Sequence, residues 1–268
     1  MKDLAEKVAV VTGGGSGIGR GTVLALAEAG MKVVVADINE ASAEAVAKEV
    51  GGLAVRTDVA DRASVDALAD AAWSEFGAVH VLHNNAGVAI FGALADTPDS
   101  DWTWIRSINL DGVVHGIQAF VPRMKQVGGD KHIVNTASMA GMFAPPMLGA
   151  YNATKFAVVA LSETLREEVA ADGIGVSVLC PGVVSTNIMA NSLRDRPPGG
   201  PDMPSLEIGA SSMRVMEPEE VGRLVRRAIE DDEPYIFPHP ELVSTAKARF
   251  DRILDAFARA TRAATADR

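Results

Sequence analysis

A chain of 268 residues, 48% apolar and 22% charged, holds enough material for one large α/β domain or two small ones. Its 25 basic against 35 acidic side chains give a formal charge of −10, which repels phosphate backbones and anionic lipid and so argues against nucleic-acid and membrane partners. One cysteine, Cys180, excludes an internal disulfide framework; a glycine-interrupted N-terminus and the lack of any membrane-length apolar run point to a cytoplasmic protein.

In chain order, short β-branched runs alternate with longer helical patterns. Strands are expected at "KVAVVT" (7–12), "KVVVAD" (32–37), "LAVRTD" (53–58), "HVLHNN" (80–85), "HIVNTAS" (132–138) and "GVSVLCPG" (175–182), with a short one in "PYIFPHPE". They are nearly continuous in apolar residues, as strands covered on both faces should be. Helical periodicity fills 17–30, 40–50, 62–76, 100–125 and 151–171. The alternation predicts a Rossmann-type doubly wound parallel sheet of about seven strands, helices on both faces, in a single domain over 1–268. From 185 to 216 the composition turns to Pro, Gly, Ser and Met, which reads equally as a substrate lid or a plain loop. After it come a helix to about 232, the short strand, and an amphipathic segment. Leu242, Phe250, Ile253, Leu254 and Phe257 form a stripe on that segment, of the kind used for core or subunit contact.

Two local patterns carry chemistry. "TGGGSGIG" (12–19) lies between the first strand and the first helix, where glycines let a backbone approach a pyrophosphate and a helix N-terminus favours its charge. Asp37 ends the second strand, eighteen positions beyond Gly19; a carboxylate there accepts from ribose hydroxyls and repels a 2′-phosphate. No arginine or lysine sits within the glycine loop to offset it, so NAD is expected over NADP. "YNATK" places Tyr151 and Lys155 four apart, on one helix face, where an ammonium favours the phenolate and lowers the tyrosine pKa. Such a tyrosine is a candidate general base.

The glycine spacing Thr-Gly-x-x-x-Gly-x-Gly, "NNAG" (84–87), Asn109 in "SINLDG", Ser138, "YNATK" and "PGVVST" (181–186) occur in an order that resembles the short-chain dehydrogenase/reductase family. "PGVVSTNI" and "YIFPHPE" are similar, more narrowly, to a bacterial subgroup containing Cα-dehydrogenases that oxidise benzylic alcohols of aryl ethers. The resemblance implies a catalytic set of Asn109, Ser138, Tyr151 and Lys155. Tyr151 exchanges the proton, Ser138 bonds the same substrate oxygen, Lys155 lowers the Tyr151 pKa and binds the nicotinamide ribose, and Asn109 supports Lys155 through water. It also implies a cofactor cradle of Thr12, Gly13, Gly15, Ser16, Gly17, Ile18, Gly19 and Asp37. Asp58 and Val59 would lie at the adenine, and Asn85, Ala86 and Gly87 along the cleft. Pro181, Gly182, Val184 and Thr186 would hold the nicotinamide.

The remaining candidates read as structural. His80 and His83 lack acidic or cysteine partners for a metal, Cys180 is a small buried residue, and Trp102 and Trp104 are packing. His239, between two prolines, reads as a structured turn. The expected pocket wall (Val88, Ile90, Phe91, 139–148, Ile188, Met189) contains no cation, which favours a small hydrophobic alcohol or ketone as substrate. Apolar residues left over on the helices at 100–125 and 151–171 predict a homo-oligomer, dimer or tetramer. Two rival readings are a non-catalytic NAD-binding sensor or scaffold and an NAD-dependent epimerase or dehydratase.

Overall fold

The computed structural model describes residues 1–199 and 214–266. In chain order the elements are β1 (Val8–Thr12), α1 (Gly17–Glu28), β2 (Lys32–Asp37), α2 (Glu40–Val50), β3 (Leu53–Arg56), α3 (Arg62–Phe76) and β4 (Val81–Asn84). There follow α4 (Asp99–Arg106), α5 (Gly112–Met124), β5 (Lys131–Thr136), α6 (Gly149–Val169), β6 (Ile174–Leu179), α7 (Ile188–Asp195), α8 (Pro218–Asp231), β7 (Tyr235–Ile236) and α9 (Val243–Ala266). The strands form one seven-stranded parallel sheet in the order β3-β2-β1-β4-β5-β6-β7. The doubly wound architecture expected from the sequence is the one observed.

The continuous apolar runs explain the two covered faces. Successive side chains of a strand point to opposite sides. In β1, Ala9 and Val11 pack with Val23, Leu26, Val46, Val221 and Ile229 of α1, α2 and α8. Val8 and Val10 pack with Leu68, Phe120, Met124 and Leu165 of α3, α5 and α6. Two helix starts are locally encoded: Asn39 caps α2 through Ser42 N, and Asp61 caps α3 through Ala63 N. Gly51 and Gly77 end those helices in the left-handed conformation. Helices α1 and α8 meet backbone to backbone, since a β-carbon on Gly21 would lie 2.2 Å from the Pro218 carbonyl oxygen and one on Gly222 would lie 2.1 Å from that of Gly21.

The order of strands reverses between β1 and β4. At such a switch point the loops diverge and leave a crevice beyond the strand C-termini. Thr12 and Asn84 end the two strands there.

Three expectations change. The helix expected at 100–125 is two helices joined by a widened, π-type turn at Ser107–Asp111. That turn carries Asn109, 1% exposed, inward. The strands at 53–58, 80–85 and 175–182 are shorter than read, because their last residues turn to line the crevice. The stripe on α9 is not core in this chain: Phe250, Ile253, Leu254 and Phe257 are all exposed. Of the expected lid, residues 200–213 lie outside the described residues, while its first part is the helix α7. Among the described residues, no helix is long and apolar enough to cross a membrane.

Candidate active site

The glycine loop is shaped by contacts that leave no room for side chains. Gly13 has φ +64°, and a β-carbon on it would lie 2.9 Å from the Ala86 Cα. One on Gly19 would lie 2.1 Å from the Gly13 carbonyl oxygen, so the first turn of α1 sits directly on the loop. Thr12 fastens the loop to β4, its hydroxyl accepting from the N–H of Asn85 (2.9 Å) and of Ala86 (3.2 Å). The Asn85 amide donates back to the Thr12 carbonyl at 3.0 Å. Ser16 begins α1 in extended conformation, and among the described residues no side chain caps that helix or places an acid in its first turn. The positive end of α1 is thus left to face the crevice, unlike the capped α2 and α3. Ile18 packs into the core beneath.

Asp37 stands where the sequence puts it. One carboxylate oxygen accepts from Gly15 N (3.0 Å) and the other from Asn39 N (3.0 Å). A carboxylate has about four lone-pair sites, so acceptor capacity remains for ribose hydroxyls. One neighbour was not legible: Arg194 of α7 lies close enough to feel the Asp37 charge, although its guanidinium bonds mainly to Asp195. Asp58 accepts from Ala60 N (2.9 Å), and Val59 packs against Gly112 with its carbonyl bonded to His115. These residues could hold an adenine, a ribose at Asp37 and a pyrophosphate at the uncapped start of α1. The residues present therefore fit a dinucleotide.

The catalytic candidates meet at the ends of β5 and β6. Ser138 has its hydroxyl between Ala140 N (3.1 Å) and the Pro181 carbonyl (3.4 Å), near enough to the Tyr151 phenol to favour its ionised form. Lys155, 3% exposed, donates from Nζ to the Thr136 carbonyl at 2.9 Å, with the ammonium 5.5 Å from the centre of the Tyr151 ring. Burial lowers the Lys155 pKa to about 8. Burial also raises the Tyr151 phenol above its ordinary value, with the nearby Ser138 hydroxyl opposing. The spacing argument expects the opposite direction. It omits desolvation, which outweighs what the protein's own groups contribute to the phenolate.

Asn109 is held by the loop after β4. Its Oδ1 accepts from Val88 N (2.8 Å), and its Nδ2 donates to the Val88 carbonyl (2.9 Å) and to Thr154 Oγ1 (3.3 Å). The amide is spent on the loop after β4. It still approaches Lys155, because a β-carbon on Gly87 would meet Asn109 Oδ1 at 3.3 Å and Lys155 Nζ at 3.6 Å. Thr136, which no motif signalled, joins the two halves. Its carbonyl holds Lys155, while its hydroxyl accepts from His83 Nε2 (2.9 Å) and donates to Asn85 Oδ1 (3.3 Å). His83 is fully buried, and its pKa falls to about 3, so it is a neutral donor. Cys180 is buried with its thiol pushed up to about 12.

On the open side, Thr186 closes on the glycine loop, its methyl 3.1 Å from where a Gly17 β-carbon would stand. Val184 pairs with Met216, and Gly182 N donates to His239. Ser192 of α7 is fully buried and accepts from Ala89 N at 2.9 Å. Next to it Arg196 grips the buried Asp101 of α4 through both carboxylate oxygens. This pair borders a shallow cleft lined by Ile90, Phe91, Met147 and Ala150, with Asp96 and Thr97 at its edge. The cation-free wall read from the sequence is therefore corrected: Arg196 reaches it from the lid, with its charge matched by Asp101. Trp102 and Trp104 are packing, but packing shared with Tyr151 around Ile90, Ile105 and Ala150.

The fold and this site define an oxidoreductase acting on CH–OH groups across a dinucleotide crevice. The chain belongs to the short chain dehydrogenase family, whose model matches residues 7–197. It is 35% identical over 270 residues to the C alpha-dehydrogenase of Sphingobium sp. strain SYK-6, an alignment covering 96% of this chain and 88% of that protein. A short chain dehydrogenase/reductase from Burkholderia phymatum, solved in complex with NAD, superposes with a TM-score of 0.87 at 39% identity, covering 94% of this chain and 96% of that one. The 3-ketoacyl-(acyl-carrier-protein) reductase of Brucella melitensis, complexed with NADH, gives a TM-score of 0.76 at 31% identity, over 88% of this chain and 97% of that one.

Proposed function

We propose that the protein is an NAD-dependent dehydrogenase that moves a hydride between the nicotinamide and a neutral, hydrophobic secondary alcohol or ketone, with Tyr151 as general acid/base. The observation that carries this reading is the convergence of Tyr151, Ser138 and the buried Lys155 on one side of the crevice. When bound, NAD supplies the hydride acceptor and, in its oxidised form, a positive charge near the phenol. Tyr151 takes the carbinol proton in oxidation and returns it to the carbonyl oxygen in reduction. Ser138 bonds that same oxygen as its charge develops. Lys155 keeps a positive charge behind the phenol and presents donors to the nicotinamide ribose. Asn109 holds the Val88 backbone and, with Gly87, the wall near Lys155. The other residues of the cradle, Thr12 through Thr186, bind and orient the dinucleotide.

Asp37 and the NAD and NADH complexes of similar structures support NAD as cofactor. A neutral substrate is supported by the cleft, whose one arginine is matched by Asp101 and whose remaining charged side chain, Asp96, is acidic. The likeness to a C alpha-dehydrogenase makes benzylic alcohols the first compounds to try. The whole chain, 1–268, acts in this reading as one catalytic unit, with a lid over about 185–216. It works in the cytoplasm as a homodimer or homotetramer through α5 and α6, where Val114, Ile117, Phe156 and Leu161 stay half-exposed. Incubating the protein with NAD and a panel of neutral secondary alcohols, and following absorbance of the reduced cofactor, tests the activity. Turnover of carboxylated or phosphorylated alcohols alone would overturn the substrate class. Light scattering at the mass of one chain would overturn the oligomer.

A further inference from the structure

The loop of residues 181–186 has little regular structure of its own beyond the bridge from Val184 to Met216. Its shape is fixed from a distance by His239, which is 1% exposed. The His239 Nδ1 accepts the Gly182 N–H at 2.9 Å. The Nε2 lies 2.9 Å from the Val183 carbonyl oxygen and 3.0 Å from that of Arg214. A backbone N–H only donates and a carbonyl only accepts, so the tautomer follows: Nδ1 bare, Nε2 protonated and shared between two carbonyls. The ring also touches the loop, because a β-carbon on Gly182 would lie 2.9 Å from it. Flanking prolines, Pro238 and Pro240, restrict the backbone that delivers the ring. The Arg214 side of the clamp continues into Met216, whose N–H donates to the Val183 carbonyl (3.1 Å) and whose carbonyl accepts from Ser185 N (2.9 Å).

We infer that His239 is a positioning residue for the nicotinamide. It sets the backbone of residues 182–184, and through Arg214 it couples that backbone to the returning end of the lid. The inference rests on the proposed seating of the nicotinamide against this loop. A shift of about 1 Å in such a support can cost up to about 10²-fold in rate, and the ring is the main tie holding Gly182 in place.

Three substitutions separate its bonds. His239→Asn keeps an acceptor near the Nδ1 position, His239→Gln keeps a donor near the Nε2 position, and His239→Leu keeps neither. The dissociation constant for NADH, from fluorescence titration, is measured with kcat, the KM for NAD and the thermal midpoint. The Leu and Gln variants are expected to bind NADH about tenfold more weakly and to lose kcat as well, with Asn within about threefold of the unmodified protein. If Leu does not fold, the Asn and Gln pair decides. Unchanged NADH binding in Gln overturns the inference, and so do losses that follow the thermal midpoint with Asn no better than Gln. An unmodified protein that binds NADH but oxidises none of the alcohols overturns the proposed substrate class instead, while the titrations still decide the role of His239.

Discussion

The two walls of the crevice are built by different means. On the glycine side, residues 12–19 make much of the cradle from their own turn conformations, supported by Asp37 at the end of the adjacent strand and by Asn85 and Ala86 after β4. On the opposite side, residues 181–196 take their shape from partners remote in sequence: His239 on Gly182, Met216 on Val184, Ala89 on Ser192 and Asp101 on Arg196. A wall encoded locally is rigid before anything binds. A wall assembled from single long-range bonds has several points at which it can let go, and it is the wall that a substrate must pass.

The comparison can be broken or sharpened by substitution. The largest effect belongs to the chemistry between the walls. Tyr151→Phe should lower turnover by about 10²–10⁴-fold and leave NADH binding close to normal, since only the proton carrier is lost. Steady-state rates beside a fluorescence titration check this, and near-normal turnover would remove Tyr151 from the mechanism. Next comes the remote wall. Asp101→Asn takes the charge from a carboxylate that is 2% exposed and bonded twice by Arg196, which should cost about 3 kcal/mol of stability. Limited proteolysis should then cut faster within α7 than within α1; equal protection of both helices would show that the ion pair does not hold the lid.

The local wall predicts a change of selectivity rather than of stability. Asp37→Ala removes a repulsive carboxylate and should narrow the preference for NAD over NADP by about tenfold, read from the two kcat/KM values. A pH-dependent effect concerns the sheet beneath both walls. His83 and His132 are buried, with pKa values lowered from the ordinary 6.5 to about 3. Between those limits the unfolded chain takes up protons that the folded chain refuses, so their contribution is complete above about pH 6.5 and is lost as pH falls toward 3. Urea midpoints across that range should drop with acid, and His83→Gln should reduce the slope by about one proton.

How much of this was legible follows the same division. The strands, the glycine loop, Asp37 and the Tyr151–Lys155 spacing can be read from neighbouring residues, because period, turn chemistry and helix register act over a few positions. The Thr136 carbonyl that holds Lys155 carries no signal, since every residue has a carbonyl. The Arg196–Asp101 pair joins positions 95 apart and reads in the sequence as two ordinary surface charges. The direction of the Tyr151 shift is hidden from the sequence for a related reason. The helix spacing gives its distance from a charge, while the apolar cluster it packs in draws Trp102, Trp104 and Ile105 from another helix. The exposed stripe on α9 is the reverse case: the periodicity is plain, but nothing in it says what the stripe faces.

The glycine contact between α1 and α8 gives the folding of the protein an order. Gly21 and Gly222 are about 200 positions apart, and a contact closing so long a loop forms late. As the chain is synthesised, the helix whose first turn rests on the glycine loop therefore emerges with one face uncovered. It stays so until the segment from Pro218 onward is made. The cradle that is most local in sequence is thus among the last parts of the molecule to become firm, and the ability to bind a dinucleotide should arise only as the sheet is completed.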